Sequence, residues 1–235
     1  MKTKFLILIS FFIVGTAIAQ RNSKVENLPK YDRKPYHFGF SLGINKYDFS
    51  IKNVDNFNQL DSVHILESTP QNGFNICMVS SLKLTEHLDL RFLPGLSFGG
   101  RSLDYTLQVA GNKIIKESKM IESVNIEFPL TLKYKSARYN NGRAYLLGGF
   151  KYTLDKASQA GKKDNVEEKL IKLKKNDYCY EIGFGVDIYF EYFKFSPEIK
   201  FSMGLKDLLV RDGQEYTKSI DRLNSKVLLI SFLFE

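Results

Sequence analysis

Large apolar side chains recur at every second position along eight stretches of this 235-residue chain. In Tyr178–Phe190 they occupy each even-numbered position, and small, polar or charged residues lie between them, with Tyr189 as the one large exception. A period of two predicts a β-strand with one apolar and one polar face. At about 3.3 Å per residue, this stretch is long enough to cross a bilayer at a tilt. The other seven predicted strands are Tyr36–Lys46, Gly73–Leu84, Leu88–Leu107, Met120–Lys135, Arg143–Thr153, Phe193–Leu205 and Ser225–Glu235.

The connections between these strands alternate between long and short. The long polar ones are 47–72, 108–119, 154–176 and 206–224, and the short turns are 85–87, 136–142 and 191–192. An even number of strands with this asymmetry is typical of outer-membrane barrels, whose short turns and termini lie in the periplasm. The sequence therefore predicts an all-β fold, an eight-stranded antiparallel up-and-down transmembrane β-barrel of the small outer-membrane type, with both termini periplasmic. Within the third strand, Pro94 cannot donate to the sheet, and Gly99-Gly100 predicts a bend or bulge.

The N-terminus has the form of an export signal. Lys2 and Lys4 precede an apolar run, and Ala17-Ile18-Ala19 has the small-x-small form of a signal-peptidase site. This pattern predicts a signal peptide over residues 1–19, an extended periplasmic segment over 20–35 and the barrel domain over 36–235.

Two kinds of barrel fit the alternation, and the placement of charge separates them. A soluble exported barrel of the lipocalin type turns its apolar face inward around a ligand. A membrane barrel turns that face to lipid, where a charge at mid-depth costs a few kcal/mol, so its apolar face carries none. The uncharged, aromatic faces of these strands favour the membrane barrel. The residues predicted to face lipid are Phe38, Phe40, Phe128, Leu130, Ile182, Phe184, Val186, Phe201, Phe232 and Phe234.

The opposite faces predict a charged, filled lumen. Eight strands leave an interior only wide enough for side chains, which disfavours an open pore. Glu181 and Asp187 are interpreted as partners of lysines in this lumen rather than as paired catalytic carboxylates. Cys77 and Cys179 fall on opposite walls, farther apart than a disulfide allows, so two free thiols are expected. The predicted lumen network comprises Asp89, Arg91, Glu127, Lys133, Glu181, Asp187, Lys194, Glu198 and Lys200.

Composition changes this picture little. The chain has a net charge of +8, but its basic residues are spread along it, so no nucleic-acid partner is expected. The three histidines are scattered, which predicts no metal site, no cofactor and no enzyme; His64 near Ser62 or Ser68 is the one arrangement open to a hydrolase interpretation. The Lys-rich connection 154–176 is either a solvated loop or a contact for lipopolysaccharide phosphates or an acidic partner.

Longer stretches of the chain resemble a known family. They are FGFSLGIN (38–45), LRFLPGLSFGGRSLDY (90–105), VNIEFPLTLKYKSARYNNGRAYLLGGFKY (124–152), DYCYEIGFGVDIYFEYFKFSPEIKFSMGLKDLL (177–209) and the terminal ISFLFE. Together they are similar to the PorT family of outer-membrane barrels, and the part around FEYFKFSPEIKFSMGLKDLL is the most PorT-like. The family belongs to the type IX (Por) secretion system of Bacteroidota.

That resemblance implies a non-enzymatic component needed for type IX secretion, and for gliding motility where present, in contact with outer-membrane lipid and other secretion-system proteins. The residues leave open a second hypothesis, a generic small barrel for adhesion, envelope integrity or lipid processing.

Overall fold

The stretches with alternating apolar side chains fold into antiparallel β-strands. The computed structural model describes residues 26–54, 63–109, 113–157, 172–211, 217 and 219–235. Its strands are β1 (Tyr36–Asn53), β2 (Val63–Lys83), β3 (Leu88–Phe92), β4 (Gly95–Val109), β5 (Lys113–Lys135), β6 (Gly142–Asp155), β7 (Asn176–Tyr189), β8 (Lys194–Gly204) and β9 (Ile220–Phe234). No helix in these ranges has the length and apolar character needed to cross a bilayer.

The strands close into a ring in chain order. Apart from β3 and β4, which do not pair with each other, each strand pairs with its neighbour in sequence, and β1 pairs with both β2 and β9, which completes the circle. β3 and β4 together form one stave, because both lie between β2 and β5 and are separated only by Leu93-Pro94. The break remains bonded to both neighbours, since Met78 N–H donates to the Pro94 carbonyl and Leu93 N–H donates to the Pro129 carbonyl. The predicted eight-stave, up-and-down barrel is confirmed.

Several strands run farther than the sequence predicts. The stretch 47–72 was expected to be a long loop, but Tyr47–Asn53 extends β1 and the residues from Val63 extend β2. β5 likewise begins at Lys113, inside the predicted loop 108–119. In these extensions the outward face becomes polar, so the alternation that marks the membrane part of each strand disappears while the hydrogen-bonded ladder continues.

The two faces of the wall differ as the alternation requires. Eight of the ten residues predicted to face lipid are exposed, from Phe128 and Phe232 at 37% to Phe38 at 71%. Phe201 and Phe234 also lie on the outer face and are half-buried; the ring of Phe234 stacks on Phe40 with centroids 5.0 Å apart. An exposed apolar face around a closed ring of strands is the surface that a bilayer covers.

The interior changes character along the barrel axis. Through most of its height the lumen is lined by polar and charged residues. At the end with the long connections, the strand extensions enclose an apolar cluster instead. It consists of Phe49, Leu66, Leu103, Tyr105, Leu173, Leu208, Leu209, Ile220 and Leu223. Side chains therefore fill the barrel at this end without any charge.

Candidate functional site: an ion-paired lumen with a closed mouth

The inward positions of the strands carry the charged residues of the protein interior. All nine residues of the predicted lumen network point inward and are at most 8% exposed, the largest value being that of Asp89. Seven inward charged groups of the described residues were not part of that prediction, namely Arg101, Lys135, Arg143, Lys151, Asp155, Asp177 and Glu235. Lys135 and Lys151 share the inward parity of their strands, and this was the signal by which sequence could have found them.

The lumen near the short turns holds three ion pairs. Lys133 Nζ lies 2.7 Å from Asp187 Oδ1, and Ser196 Oγ donates to the same oxygen at 2.7 Å. Lys135 pairs with Asp89 at 2.6 Å. Lys194 pairs with the side chain of Glu235 at 2.8 Å. Lys135–Asp89 and Lys194–Glu235 join strands that are hydrogen-bonded neighbours, β3 with β5 and β8 with β9, whereas Lys133–Asp187 reaches past β6 from β5 to β7.

The centre of the lumen is built on Glu198. Its carboxylate lies 3.1 Å from Arg91 Nη1 and 3.1 Å from Lys200 Nζ, and Tyr145 O–H donates to it at 3.1 Å. Arg91 is also 3.8 Å from Glu235 Oε1. Because β3 carries Arg91 and β8 carries Glu198, this group spans the full width of the barrel.

A third group lies above the centre, toward the long connections. Lys151 Nζ bridges Glu127 Oε1 at 3.0 Å and Glu181 Oε1 at 3.3 Å. Tyr47 O–H donates to Glu127 at 3.2 Å and accepts from Asn125 Nδ2 at 3.0 Å. Of the lysines suggested from sequence as partners of Glu181 and Asp187, Lys133 is therefore bonded to Asp187. Lys194 pairs with Glu235 and Lys200 with Glu198, while the partner of Glu181 is Lys151.

Arg101 marks the boundary between the polar lumen and the apolar cluster. Its guanidinium lies 4.0 Å from the ring centroid of Phe49 and donates to Ser225 Oγ at 3.0 Å. No carboxylate of the described residues lies within 4.0 Å of it. Arg101, Asp155 and Asp177 line a cavity of about 20 Å³, which is room for about one water molecule.

The segment before β1 closes the lumen at the short-turn end. The described part of the predicted extended segment contains a 3-10 helix, Tyr31–Arg33. Asp32 lies 2.6 Å from Arg143 and accepts from Tyr189 O–H at 3.1 Å. Tyr31 O–H donates to Glu235 at 2.9 Å, and its ring stacks on His37 with centroids 4.0 Å apart. A turn rather than an extended chain lets these side chains enter the mouth. We call residues 26–35 the mouth plug.

The hairpin turns around the mouth hold the plug from its other side. Asn27 N–H donates to Asn141 Oδ1 at 2.8 Å, and Asn27 Nδ2 donates to the Tyr189 carbonyl at 3.0 Å. The guanidinium of Arg138 lies over the Tyr189 ring at 3.8 Å. The plug thus joins the N-terminal side of the barrel to the β5–β6 and β7–β8 turns.

Charge around the plug changes how its carboxylate titrates. Burial of Asp32 opposes its ionisation, but Arg143, the Tyr189 hydroxyl and Arg138 outweigh burial and hold the pKa of Asp32 below its usual range. For Tyr31, burial and the neighbouring Glu235 carboxylate raise the pKa of the phenol far above its usual value. Asp32 is therefore charged and Tyr31 neutral around neutral pH, as their hydrogen bonds require.

Some of the side chains considered for chemistry from the sequence have hydrogen-bond partners within the described residues. Within them, no group of three or more His, Cys, Asp or Glu side chains is placed to hold a metal ion. His87 Nδ1 lies 3.1 Å from the Lys135 carbonyl, and Ser68 Oγ donates to Asp48 at 2.7 Å. Cys77 and Cys179 are buried and free, which confirms the predicted thiols.

Three predictions fall where the structure does not describe the chain. The signal peptide (residues 1–19), Ser62 with the side chain of His64, and most of the Lys-rich connection (158–171) lie outside the described residues.

Comparison with known proteins gives a family and several similar barrels. A family model described as an outer membrane protein β-barrel domain matches residues 18–210. No curated protein matches the chain. Among solved structures, the N-terminal β-barrel domain of Pseudomonas aeruginosa OprF is 13% identical with a TM-score of 0.30, and the match covers 82% of this chain and 96% of that one.

Two further solved barrels are similar. Neisserial surface protein A is 8% identical with a TM-score of 0.40, over 85% of this chain and 98% of that one. Ail, the attachment invasion locus protein of Yersinia pestis, solved in complex with the heparin analogue sucrose octasulfate, is 10% identical with a TM-score of 0.38, over 86% of this chain and 99% of that one.

Proposed function

This chain belongs to the family of outer membrane protein β-barrel domains, and from that premise we propose that it is a non-enzymatic outer-membrane component of the type IX (Por) secretion system, needed for motility where the cell glides. It acts through contacts with other secretion-system proteins. The specific part of this proposal rests on the resemblance of residues 38–45, 90–105, 124–152 and 177–209 to the PorT family.

The filled lumen is the observation that supports a function through protein contacts. Arg91, Glu198 and Lys200 occupy the centre of the barrel from wall to wall, and the mouth plug occupies its short-turn end. In the described part of the barrel, this packing leaves no path for a folded cargo protein. The barrel's work in secretion is then done by its ends and its outer wall.

The proposal places the short-turn end in the periplasm. The mouth plug and Glu235 meet at this end, and Tyr139 and Tyr192 stand exposed on its turns at 68% and 89%. Such exposed aromatics, next to a plug held by Asp32 and Arg143, make a surface suited to a periplasmic partner.

Labelling whole cells tests this orientation. The background is a variant without native thiols (Cys77→Ser, Cys179→Ser), and the probe position is Tyr192→Cys. A membrane-impermeant maleimide should label this cysteine only after the outer membrane is opened. Labelling of intact cells would place the short-turn end outside and contradict the assignment.

Deletion of the gene tests the secretion role directly. The expected result is loss of secreted cargo that carries a C-terminal type IX sorting signal, restored by the intact gene. Restoration should fail with Tyr139→Ala and Tyr192→Ala together, if the folded barrel is present at normal level. Normal secretion in the deletion strain would refute the proposal.

Membership of the family by itself supports a broader candidate, a small barrel for adhesion, envelope integrity or lipid processing. Secretion that continues after deletion, together with loss of binding to a host ligand or a changed lipid A profile, would favour it. Neighbouring genes that encode other type IX components would favour the secretion role.

A further inference from the structure

The outer wall carries a second feature that the filled lumen and the plug do not explain. On β1 and β9 the outward residues change from apolar to polar at a definite position. Ile44 is followed by Lys46 on β1, and Leu228 is preceded by Lys226 on β9. Ile44 and Leu228 are exposed at 60% and 43%, so the two amines begin where the lipid-covered surface ends.

The charge of this boundary differs around the ring. Next to the β1–β9 seam the outward positions are basic and include Lys46, Lys206, Arg222 and Lys226. Across the barrel, above the apolar face of β2, β4 and β5, the outward charged positions are Glu67, Asp104, Glu122 and one lysine, Lys116. The side of the wall at the β1–β9 seam therefore favours an anion at this height more than the opposite side does.

The register at the seam concentrates the basic residues. Lys46 lies opposite Leu228 and Asp48 lies opposite Lys226, so the two lysines are diagonal neighbours, a spacing of roughly 7–8 Å between positions. Farther out, Lys52 is directly opposite Arg222. Like charges directly opposite each other destabilise a sheet, so an anion near this pair is favourable.

The carboxylates at the seam neutralise only part of this charge. Lys52 lies 2.9 Å from Asp221, and Lys226 lies 3.7 Å from Asp48. Asp48 also accepts hydrogen bonds from Ser68 Oγ and the Phe49 N–H. Neither Lys46 nor Arg222 has a carboxylate of the described residues within 4.0 Å.

We propose that the outward face of the β1–β9 seam, with Lys46 and Lys226 at its centre and Arg222 at its rim, binds the phosphate of a phosphorylated lipid in the leaflet at the long-connection end. The acyl chains lie on the apolar wall below, along Ile44, Leu228 and their neighbours. The phosphate meets the amines directly above. A single molecule with an anionic head and apolar chains matches both parts of this surface.

This inference rests on the barrel's place in the outer membrane and not on its role in secretion. The two can therefore fail separately.

Native mass spectrometry of the purified full chain in detergent tests the site, with bisphosphorylated lipid A as the probe. The double variant Lys46→Gln/Lys226→Gln should bind it about 25-fold more weakly, at about fivefold per lysine near a lipid phosphate. Lys46→Gln alone, which breaks no ion pair, should lose about fivefold. Heat-modifiability gels establish that each variant is folded.

Two controls complete the experiment. Lys30→Gln/Lys34→Gln removes the same charge from the opposite end of the barrel and should leave the affinity within about twofold of the parent, because distant surface charges are screened. The second control uses lipid A without its phosphates. The parent protein should bind this lipid as weakly as the seam variant, Lys46→Gln/Lys226→Gln, binds intact lipid A. Unchanged affinity of the seam variant, an equal loss in the control variant, or equal binding of both lipids would overturn the proposal.

Discussion

At the scale of single residues, the inward face depends on matched charge. Each acid of the two groups nearest the short turns lies against a lysine, an arginine or a hydroxyl. Lys133 and Asp187 are about 1% exposed in their side chains, and Glu198 is 2% exposed. Removing one partner of such a pair leaves an uncompensated buried charge, which costs far more than the intact pair contributes.

Lys133→Met is expected to destabilise the barrel by about 3–5 kcal/mol, because Asp187 keeps Ser196 but loses its cation. The double change Lys133→Met/Asp187→Leu should recover most of that loss, since it removes both charges. Urea unfolding of the refolded protein in lipid vesicles measures the difference. Glu122→Gln, on the exposed outer face, serves as the control. A double variant no more stable than the single one would contradict the pairing.

The outer face depends on the absence of charge. Phe184 is the central outward residue of β7 and is 56% exposed to the surroundings of the barrel. Phe184→Lys should cost about 2–4 kcal/mol at the middle of the bilayer and reduce the heat-modifiable folded band, whereas Phe184→Leu should not. Glu181→Gln, which faces Lys151 in the lumen, should be milder than Phe184→Lys. Equal tolerance of the lysine and the glutamine would mean that this face does not meet lipid.

At the scale of elements, alternation predicts a strand only while one face is apolar. The membrane parts of β1, β7, β8 and β9 were predictable because their outward residues are uniformly apolar. Tyr47–Asn53 was predicted as loop because its outward residues, from Asp48 to Lys52, are polar. The ladder continues there through backbone hydrogen bonds, which leave no pattern in the sequence.

The sequence likewise predicts which residues line the lumen but not which of them pair. Inward parity identifies Arg91 and Glu198 as lumen residues, but their pairing depends on the stagger of β3 and β8 across the barrel, which sequence does not specify. The contact of Tyr31 with Glu235 joins positions 204 residues apart and gave no sequence signal.

The mouth plug should open in acid. The pKa of Asp32 is lower in the folded state than in an open segment, so its contribution to closure is complete above the ordinary pKa of about 4 and declines as pH falls through the lower folded value. The protection of the amides of residues 26–34, measured relative to the intrinsic exchange rate at each pH, should therefore fall below about pH 4. Asp32→Asn should exchange faster at neutral pH and lose this dependence, while Glu86→Gln on a neighbouring turn should retain it. If the Asp32→Asn variant kept the same pH dependence of hydrogen exchange, groups other than Asp32 would be responsible for closing the mouth plug in a pH-dependent way.

At the scale of the whole molecule, the barrel is a filled cylinder with three distinct surfaces. The outer surface at mid-height is apolar and meets lipid. The short-turn end of the lumen is closed by the N-terminal segment, and the long-connection end of the lumen is packed with apolar side chains. Two cavities lined by the described residues measure about 20 and 10 Å³, and each has room for about one water molecule. This form is consistent with the proposed role through contacts made by the ends and the outer wall of the barrel.

Current through a planar lipid bilayer tests this central claim most directly. The purified barrel, inserted at neutral pH, should give no stable open-channel current. A variant that lacks residues 26–34 should also give none, because Arg91, Glu198 and Lys200 still cross the lumen behind the plug. A steady conductance from the parent would show that the lumen is an open path and would contradict the account.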